Sequence, residues 1–303
     1  MNYLGLEIGG TKLQIGGGGA DGKLNWVIRQ KIDPQKGAEG IRHQILQMFE
    51  DAKAKGQISD RPIRWGIGFG GPVNIQDGSI YKSHQIEGWS GFPIAQWLKT
   101  ATQAEQVVVR NDADTAALAE FIAGAGVGCH PLAYITVGSG IGGGLILGGR
   151  IHKGMGRGAM EIGHLRVPDP DHPGCLIELE LVASGWSIQR RAGMGSVPEV
   201  LQAAMAGDQK ALRVIQTAAE AVGLGLSHVV HLLAPQRIIL GGGVNLLPKS
   251  IWADPVKSAM ENQLMTTFRG MTELVPAGLG EDVVVVGGIC LAAGADSDAG
   301  VPN

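Results

Sequence analysis

Two strand–turn–strand segments, far apart in the chain, have glycine clusters at their turns. The first reads GLEIGGTKLQIG over residues 5–16, and the second reads AYITVGSGIGGGLIL over residues 133–147. Glycine adopts turn conformations that other residues reach only at a cost, so such turns can expose several backbone N–H groups. Clustered N–H groups bind anions, most often phosphate. Two such turns in two halves of one chain predict a nucleotide held between two domains.

Either turn alone could be a plain β-hairpin. Hydroxyl groups stand beside the glycines of both turns, from Thr11 in the first and from Thr136 and Ser139 in the second. Lys12 adds a cation to the first turn. The pair of turns, with these side chains, favours phosphate binding over the hairpin alternative.

Composition narrows the classes of protein to consider. The chain has 303 residues with a net charge of −3 and no basic tract, which disfavours nucleic acid and anionic membranes as partners. The first residues show neither a charged leader nor a long apolar stretch, so we expect no signal peptide and no membrane span. Three widely spaced cysteines suit reduced thiols, and we expect a cytoplasmic protein.

The order strand–turn–strand, strand, helix, strand, helix occurs twice along the chain, which predicts two similar α/β domains with a cleft between them. We expect a smaller domain over residues 1–113 plus 288–303 and a larger one over residues 114–287. The hydrophobic pattern predicts single helices over Leu179–Arg191 and Pro248–Gln263 and a short helix over Phe92–Lys99.

Several polar residues could carry chemistry. Asp112 follows a buried strand, where an α/β sheet delivers side chains into a crevice, but Asn111, Asp112 and Asp114 could also serve as helix caps. One cap is enough, so one of them is free for another task. Glu161, His164 and Glu180 could hydrogen-bond a polyol or could be solvated surface residues. These residues alone do not distinguish a sugar from other polar ligands.

Taken together, the motifs resemble the ROK family of sugar kinases and sugar-responsive repressors, over essentially the whole chain. The segments that carry the resemblance are EIGGTK at 7–12, GIGFGGPV at 66–73, NDAD at 111–114, TVGSGIGGG at 136–144, EIGH at 161–164, Glu180 through Gly185, and LGGGV at 240–244. The resemblance implies an α/β, two-domain actin/hexokinase-like (ribonuclease H-like) fold with an interdomain cleft.

The resemblance also implies roles for residues. Asp112 would be the catalytic base that removes a proton from the sugar hydroxyl. The sugar-binding residues would be Gly71, Asn111, Asp112, Glu161, His164 and Glu180. The ATP-binding residues would be Gly9, Gly10, Thr11, Lys12, Thr136, Gly138, Ser139, Gly140, Gly242 and Gly243. Glu7 would act on Mg²⁺ through water, and ATP and Mg²⁺ would be the cofactors.

The activity implied is an ATP-dependent transfer of the γ-phosphoryl group to a hexose, with glucose the first expectation and a homodimer the expected assembly. A fructokinase, an N-acetylhexosamine or N-acetylmannosamine kinase, and a catalytically silent sugar-binding protein are the alternatives. A repressor of the same family carries a helix-turn-helix region before the sugar domain. We do not expect one here, because the first phosphate motif begins at Glu7.

The chain departs from the family pattern at four places. Glu7 stands where Asp is usual, and Met160 stands where Gly is usual. His84-Gln85 replace a common Asn near the sugar. Many members bind zinc through a histidine equivalent to His164 and three cysteines, whereas here Cys175 is the only nearby thiol. Asp169, Asp171 and His172 could complete a site in principle, but their spacing matches no known zinc pattern, and we expect no zinc.

Overall fold

The computed structural model describes residues 1–83, 86–156 and 158–296. His84 and Gln85, named above as a departure from the family, therefore lie outside the described residues. The strands of the described part are, in chain order, β1 (Asn2–Ile8), β2 (Lys12–Gly18), β3 (Leu24–Lys31), β4 (Ile63–Phe69), β5 (Val73–Asn74), β6 (Ser79–Ile80), β7 (Gln106–Asn111), β8 (Leu132–Val137), β9 (Ile141–Leu147), β10 (Arg150–Ile151), β11 (Arg166–Pro168), β12 (Leu176–Glu178), β13 (Arg237–Gly241) and β14 (Glu273–Pro276).

In the described part of the chain, α-helices lie singly or in succession between these strands and after the last of them. They are α1 (Gly37–Ala54), α2 (Ile94–Thr102), α3 (Asp112–Ala123), α4 (Leu179–Ala183), α5 (Gly185–Ala192), α6 (Val197–Met205), α7 (Gln209–Leu233), α8 (Ala253–Gln263) and α9 (Val283–Ala292). Within the described ranges, no helix combines the length and the apolar character that a membrane crossing needs.

The chain forms two compact units. Unit 1 comprises Met1–Gly128, Gly144–Ala159 and Gly278–Asn303, and unit 2 comprises Cys129–Gly143 and Met160–Ala277. These contact-based units divide the chain differently from the predicted domains, because α3 packs against β4 and α9 and so belongs to unit 1.

The sheet of unit 1 has the strand order β3-β2-β1-β4-β7. Gly16, Gly5 and Gly66 lie side by side on β2, β1 and β4. A Cβ atom on Gly5 or Gly66 would overlap the backbone carbonyls of α9 at Val285 and Gly288. The row of glycines therefore lets α9 lie directly against the sheet, which accounts for part of the high glycine content.

The opposite face of this sheet is lined by large apolar side chains. Leu4 and Leu6 of β1 and Trp65 and Ile67 of β4 alternate with the glycines, as strand geometry requires, and all four are buried. They belong to one buried cluster with apolar residues of α1 and α2. The two faces of a single sheet thus pack by different means, one by close backbone approach and the other by side-chain volume.

The second sheet has the strand order β10-β9-β8-β13-β14. Counted along the chain, this is the order third, second, first, fourth, fifth, which is also the order of the first sheet. The predicted repeat of topology is therefore confirmed. The chain passes from unit 2 to unit 1 within β9, between Gly143 and Gly144. In unit 2 the long helix α7 packs against α4, α6 and α8.

Three predicted helices differ from the observed ones. The short helix predicted over Phe92–Lys99 is α2, which begins at Ile94 and continues to Thr102. The predicted helix Leu179–Arg191 is wrong as a single helix, because the chain is extended at Ser184 (φ −66°, ψ 158°), and α4 ends there. The Ser184 side chain accepts a hydrogen bond from the Ser187 amide and so starts α5. The predicted helix Pro248–Gln263 begins later, at Ala253, after a turn in which the amides of Ile251 and Trp252 both donate to the Pro248 carbonyl.

Candidate active site

The first glycine turn joins β1 to β2 in unit 1. The Gly9 amide donates to the carbonyl of Lys12 at 3.0 Å, which closes the turn. The amides of Gly10 and Thr11 donate to none of the described residues. Two adjacent N–H groups without an internal acceptor form the kind of nest that binds an anion. The structure thus supports the phosphate-binding interpretation of this turn on its backbone geometry.

Glu7, the residue before this turn that is predicted to act on Mg²⁺, is buried and hydrogen-bonded. Its Oε1 lies 3.2 Å from Lys12 Nζ, and its Oε2 accepts from Gln14 Nε2. Burial raises the pKa of Glu7 above its usual range, while the Lys12 charge and the Gln14 hydrogen bond counter part of that shift. Lys12 Nζ and Gln14 Nε2 also donate to the Glu281 carbonyl, at 3.2 and 3.0 Å. No sequence pattern indicated that Gln14 or Glu281 belongs to this network.

Asn111 and Asp112 stand where β7 ends and α3 begins. Asn111 caps the helix, because its side-chain oxygen accepts from the Ala113 amide at 2.8 Å, and its Nδ2 donates to the Gly71 carbonyl at 3.2 Å. Asp112 Oδ1 shares the same amide at 2.8 Å. With Asn111 as the cap, helix capping alone does not account for an aspartate at position 112.

Gly70 brings Asp112 close to the first glycine turn. A Cβ atom built on Gly70 would lie 3.5 Å from Asp112 Oδ2, 3.4 Å from the Ile8 carbonyl oxygen and 3.6 Å from Gly9 Cα. The carboxyl ends of the parallel strands β1, β4 and β7 therefore gather the predicted base and the predicted phosphate turn at one edge of the sheet.

The second glycine turn joins β8 to β9 in unit 2. The Gly138 amide donates to the Gly140 carbonyl at 2.9 Å, and the amides of Ser139 and Gly140 donate to none of the described residues. Glu180 Oε2, predicted to bind sugar, accepts from the Ile141 amide at 2.8 Å. The Gly185 amide donates to the Gly138 carbonyl at 2.7 Å. The start of α5 and a carboxylate of α4 thus hold this turn.

The predicted adenosine motif lies beside the second turn in unit 2. Gly242 has φ +90°, and a Cβ there would lie 2.5 Å from the Val137 carbonyl oxygen and 2.7 Å from Thr136 Oγ1. Only glycine fits such a close approach in that conformation. A Cβ atom built on Gly243, by contrast, would have no atom within 4 Å. Asn245, which the sequence analysis did not propose, fixes the segment by donating to the Gly241 carbonyl and accepting from Trp252 Nε1 at 2.6 Å.

Glu161 and His164, also predicted to bind sugar, are exposed: Glu161 precedes a single 3-10 turn and His164 is its last residue. The His164 amide donates to the Glu161 carbonyl at 3.1 Å. His164 Nδ1 lies 3.5 Å from Glu178 Oε2. The structure therefore pairs His164 with Glu178, while Glu180 contacts the second glycine turn. Glu178 had not been proposed as a site residue.

The loop that could have carried zinc is held by other contacts. Asp169 pairs with His172 at 2.9 Å, and Asp171 pairs with Arg191 at 2.9 Å. Arg191 also donates to the Val182 carbonyl at 3.2 Å and to Thr217 Oγ1 at 2.9 Å. Hydrogen bonds from the Asp171 amide and from His172 hold the pKa of Asp169 below its usual range. Within residues 1–83, 86–156 and 158–296, no three His, Cys, Asp or Glu side chains gather as metal ligands would.

Similarity to known proteins extends along nearly the whole chain. The ROK family pattern matches residues 3–295. A glucokinase of Halalkalibacterium halodurans is 31% identical, over 94% of this chain and 93% of its own. Among solved structures, a ROK hexokinase from Thermus thermophilus is 33% identical with a TM-score of 0.81, covering 96% of this chain and 98% of that one.

A further solved structure was determined with ligands. It is a ROK family glucokinase from Streptomyces griseus in complex with glucose and AMPPNP, 28% identical with a TM-score of 0.78, covering 96% of this chain and 99% of that one. These similarities span both units and agree with the repeated strand order of the two sheets. The fold is the predicted α/β fold of the actin/hexokinase type, and the chain belongs to the ROK family.

Proposed function

We propose that this chain is an ATP-dependent hexose kinase that transfers the γ-phosphoryl group of ATP to a sugar hydroxyl, with glucose as the preferred acceptor. The observation that carries the proposal is the position of Asp112. Its carboxylate stands at the strand edge beside the first glycine turn, since a Cβ atom built on Gly70 would lie 3.5 Å from Asp112 Oδ2 and 3.6 Å from Gly9 Cα. Glucokinases of Halalkalibacterium halodurans and Thermotoga maritima, 31% and 27% identical, support glucose as the acceptor.

Asp112 acts as the general base in this proposal. It accepts the proton of the sugar hydroxyl as that oxygen attacks the phosphorus, which is the one proton transfer that phosphoryl transfer requires of the protein. Asn111, whose amide is fixed by the Gly71 carbonyl, binds a neighbouring hydroxyl. Gly71, Glu161, His164 and Glu180 complete the set of proposed sugar ligands.

The backbone of the two turns fits phosphate groups. The amides of Gly10, Thr11, Ser139 and Gly140 are the donors without acceptors among the described residues, and they would bind phosphate oxygens. When bound, ATP with Mg²⁺ supplies the transferable phosphoryl group and neutralises its charge. Lys12, Thr136, Gly138 and Gly9 shape the two turns. Gly242 lets its segment approach Val137 closely, and Gly243 beside it leaves space for the adenosine.

Glu7 fits the proposed Mg²⁺ role through water. Each carboxylate oxygen can accept more than one hydrogen bond, so Oε1 and Oε2 can receive metal-bound water in addition to Lys12 and Gln14. A small, strongly hydrated ion such as Mg²⁺ usually keeps several waters, which suits an outer ligand of this kind. We further propose a homodimer in the cytoplasm.

Two other functions compete with the proposal. A putative fructokinase of Bacillus subtilis is 30% identical and an N-acetylmannosamine kinase of Escherichia coli is 28% identical, which makes a different acceptor sugar the first alternative. The second alternative is a sugar-binding protein without catalysis. The ion pair of Glu7 with Lys12 favours this alternative if the Glu7 carboxylate stays bound to Lys12 and takes no part in Mg²⁺ binding.

A kinase assay over a sugar panel tests the proposal. ADP formation is measured with ATP and Mg²⁺ on glucose, fructose, mannose, N-acetylglucosamine and N-acetylmannosamine, with polyphosphate as a second donor. We expect the highest kcat/KM with glucose and ATP. A higher value on fructose or on N-acetylmannosamine selects the first alternative, and sugar binding without turnover selects the second.

Substitution of the base tests the mechanism. D112N should lower kcat by about 10³-fold while the sugar Kd from calorimetry stays within a few-fold, because the amide still hydrogen-bonds but accepts no proton. D60N, at an exposed aspartate of the same unit, is the matched control and should leave kcat unchanged. Undiminished turnover in D112N removes Asp112 from the role of base.

A further inference from the structure

Glu120, near the end of α3, is a fully buried acid in unit 1 (0% exposed). Its Oε1 accepts from the amides of Gly278 and Leu279 at 2.9 and 3.0 Å. Its Oε2 accepts from the amides of Ala125 and Gly278 at 2.7 and 3.1 Å. A buried carboxylate is costly unless its oxygens are fully hydrogen-bonded, and here backbone amides from two separate segments bind both oxygens.

The segment that Glu120 holds leads directly to the first glycine turn. Two residues after Leu279, the Glu281 carbonyl accepts from Lys12 Nζ at 3.2 Å and from Gln14 Nε2 at 3.0 Å. The next residue, Asp282, pairs with Arg29 of β3. The segment 278–282 is therefore fixed by α3 at one end and by the β1–β3 sheet at the other.

Lys12 and Gln14 complete the connection. Both side chains bind Glu7, the last acid before the turn, so the Glu281 carbonyl helps to fix the position of the Glu7 carboxylate and of the Lys12 ammonium. Hydrogen bonds and the covalent backbone of residues 278–281 thus form one connected path from Glu120 to the residues that border the turn amides of Gly10 and Thr11. Such contiguous contacts can carry a positional effect between two sites.

We infer that Glu120 is a positioning residue for nucleotide binding. Resting on the proposed kinase function, this inference holds that Glu120 acts through Gly278, Leu279 and Glu281 to set the Lys12 and Glu7 side chains at the first phosphate turn. Loss of the Glu120 carboxylate should leave sugar binding unchanged, because Asn111 is held separately. Its Oδ1 accepts from the Ala113 amide, and its Nδ2 donates to the Gly71 carbonyl.

The test replaces Glu120 by glutamine, which keeps the shape but turns an N–H group toward backbone amides that are themselves donors. Kd values for AMPPNP with Mg²⁺ and for glucose are measured separately by calorimetry on the full chain. We expect E120Q to bind AMPPNP about tenfold more weakly, the usual size of such coupling, with the glucose Kd within about twofold of the parent. E105Q, at an exposed glutamate paired with Arg64, is the matched control.

A merely structural role gives a different result. Loss of folded protein alone would lower the number of binding sites for both ligands and leave both Kd values unchanged. An AMPPNP Kd equal to that of the parent, or an equal loss of affinity for both ligands, overturns the inference. If E120Q does not fold, the same two Kd values are measured on E120D and interpreted in the same way. The shorter side chain of aspartate keeps the charge but reaches fewer of the amides.

A double variant tests the route. Q14L removes the Gln14 links to Glu7 and to the Glu281 carbonyl. If Glu120 acts through this series of contacts, the loss of AMPPNP affinity in the E120Q/Q14L double variant should be clearly smaller than the combined losses of the two single variants. If the losses of AMPPNP affinity in the two single variants simply add in the double variant, Glu120 does not act through Gln14, and this route is overturned. Because AMPPNP binding needs no turnover, absence of kinase activity in the parent counts against the proposed function alone, whereas absence of AMPPNP binding in the parent overturns both.

Discussion

The two glycine turns both leave two adjacent amides without an acceptor among the described residues, but they are held in different ways. In the first, the surrounding contacts come largely from its own hairpin, where Lys12 and Gln14 bind Glu7. In the second, they come from α4 and α5, through the Glu180 carboxylate and the Gly185 amide. The first turn is thus bordered by a half-buried charge network within its own hairpin, which the distant Glu281 carbonyl also contacts. The second turn is bordered by residues about forty positions further along the chain.

This difference indicates how each turn would respond to its ligand. A turn bordered by charges changes its electrostatics when an anion or a cation arrives, since Lys12 and Glu7 can exchange partners. A turn whose backbone amide donates to a carboxylate keeps its shape when a ligand binds, as long as that carboxylate stays in place. Because Glu180 is also a proposed sugar ligand, sugar binding and the shape of the second turn would share one residue.

The largest effect expected from this comparison is at Glu180. E180A leaves the Ile141 amide without its acceptor and should lower kcat/KM by about 10³-fold, with a weaker AMPPNP Kd as well as a weaker sugar Kd. E180Q retains an oxygen that can accept from Ile141 and should lose only about tenfold. A normal AMPPNP Kd in E180A would show that Glu180 does not hold the turn.

The next effect concerns the buried acid of the first turn. E7Q should lower kcat by about 10²-fold, because an uncharged amide is a poor outer ligand for Mg²⁺, and the Mg²⁺ concentration needed for half-maximal rate should rise. The matched variant E7D restores the residue usual in the family and should keep most of the rate. If E7Q retains full activity at low Mg²⁺, Glu7 has no part in metal use.

The same variant has a predicted dependence on pH. Burial raises the pKa of Glu7 in the folded chain above the usual 4.5, so between those two values the folded chain holds a proton that the unfolded chain has lost. The free energy of unfolding of the parent therefore carries a contribution that falls as pH rises through this range. E7Q lacks it, so the Tm of E7Q relative to the parent should increase with pH through the range and then stay constant. A difference that does not change with pH would contradict the raised pKa.

A smaller effect separates the two turns by their glycines. A Cβ on Gly140 would lie 2.6 Å from Glu180 Oε2 and push it off the Ile141 amide, whereas a Cβ on Gly9 would lie at an ordinary 3.4 Å from the Lys12 carbonyl oxygen. G140A should therefore weaken AMPPNP binding by about fivefold, and G9A by less than about twofold. Equal losses in the two variants would contradict the difference in how the turns are held.

Short-range patterns in the sequence predicted the parts of the site that depend on neighbours. The turns at 9–11 and 138–140 and the Asn111 cap follow from glycine, strand and capping signals within a few residues, and the structure places them as expected. The contact of Glu180 with Ile141 joins residues 39 positions apart, and no local pattern encodes such a pairing. Glu120 and Gln14 were missed for the same reason, since their partners Gly278 and Glu281 lie 158 and 267 positions away. Asn245 was missed although its partners Gly241 and Trp252 are only four and seven positions away, because the glycine signal did not predict the 3-10 turn that holds it.

The Arg191 contacts show the same limit in the loop at 168–178. The sequence analysis did not identify Arg191, yet its side chain binds Asp171, the Val182 carbonyl and Thr217, which lie 9 to 26 positions away. R191M should lower the free energy of unfolding by about 1–2 kcal/mol, because it leaves the part-buried Val182 carbonyl and Thr217 hydroxyl without this donor. Treatment with a chelator should leave the Tm of the parent unchanged if the loop needs no zinc. A chelator-induced drop in Tm would contradict the expectation that no zinc is bound.

The smallest effect is expected at Met160, whose backbone carbonyl lies against β9, the strand that leaves the second turn. A Cβ on Gly143 would lie 2.6 Å from the Met160 carbonyl oxygen, so the backbone is fixed there, and Met160 has φ +59°, which favours glycine. M160G should relieve this strain and raise the free energy of unfolding by about 0.5–1 kcal/mol in urea denaturation, with kcat within about twofold. M160A keeps the β-carbon and its strain while removing the rest of the side chain, so it should show no gain. A gain in both variants would place the effect in the Met160 side chain rather than in the backbone beside the second turn.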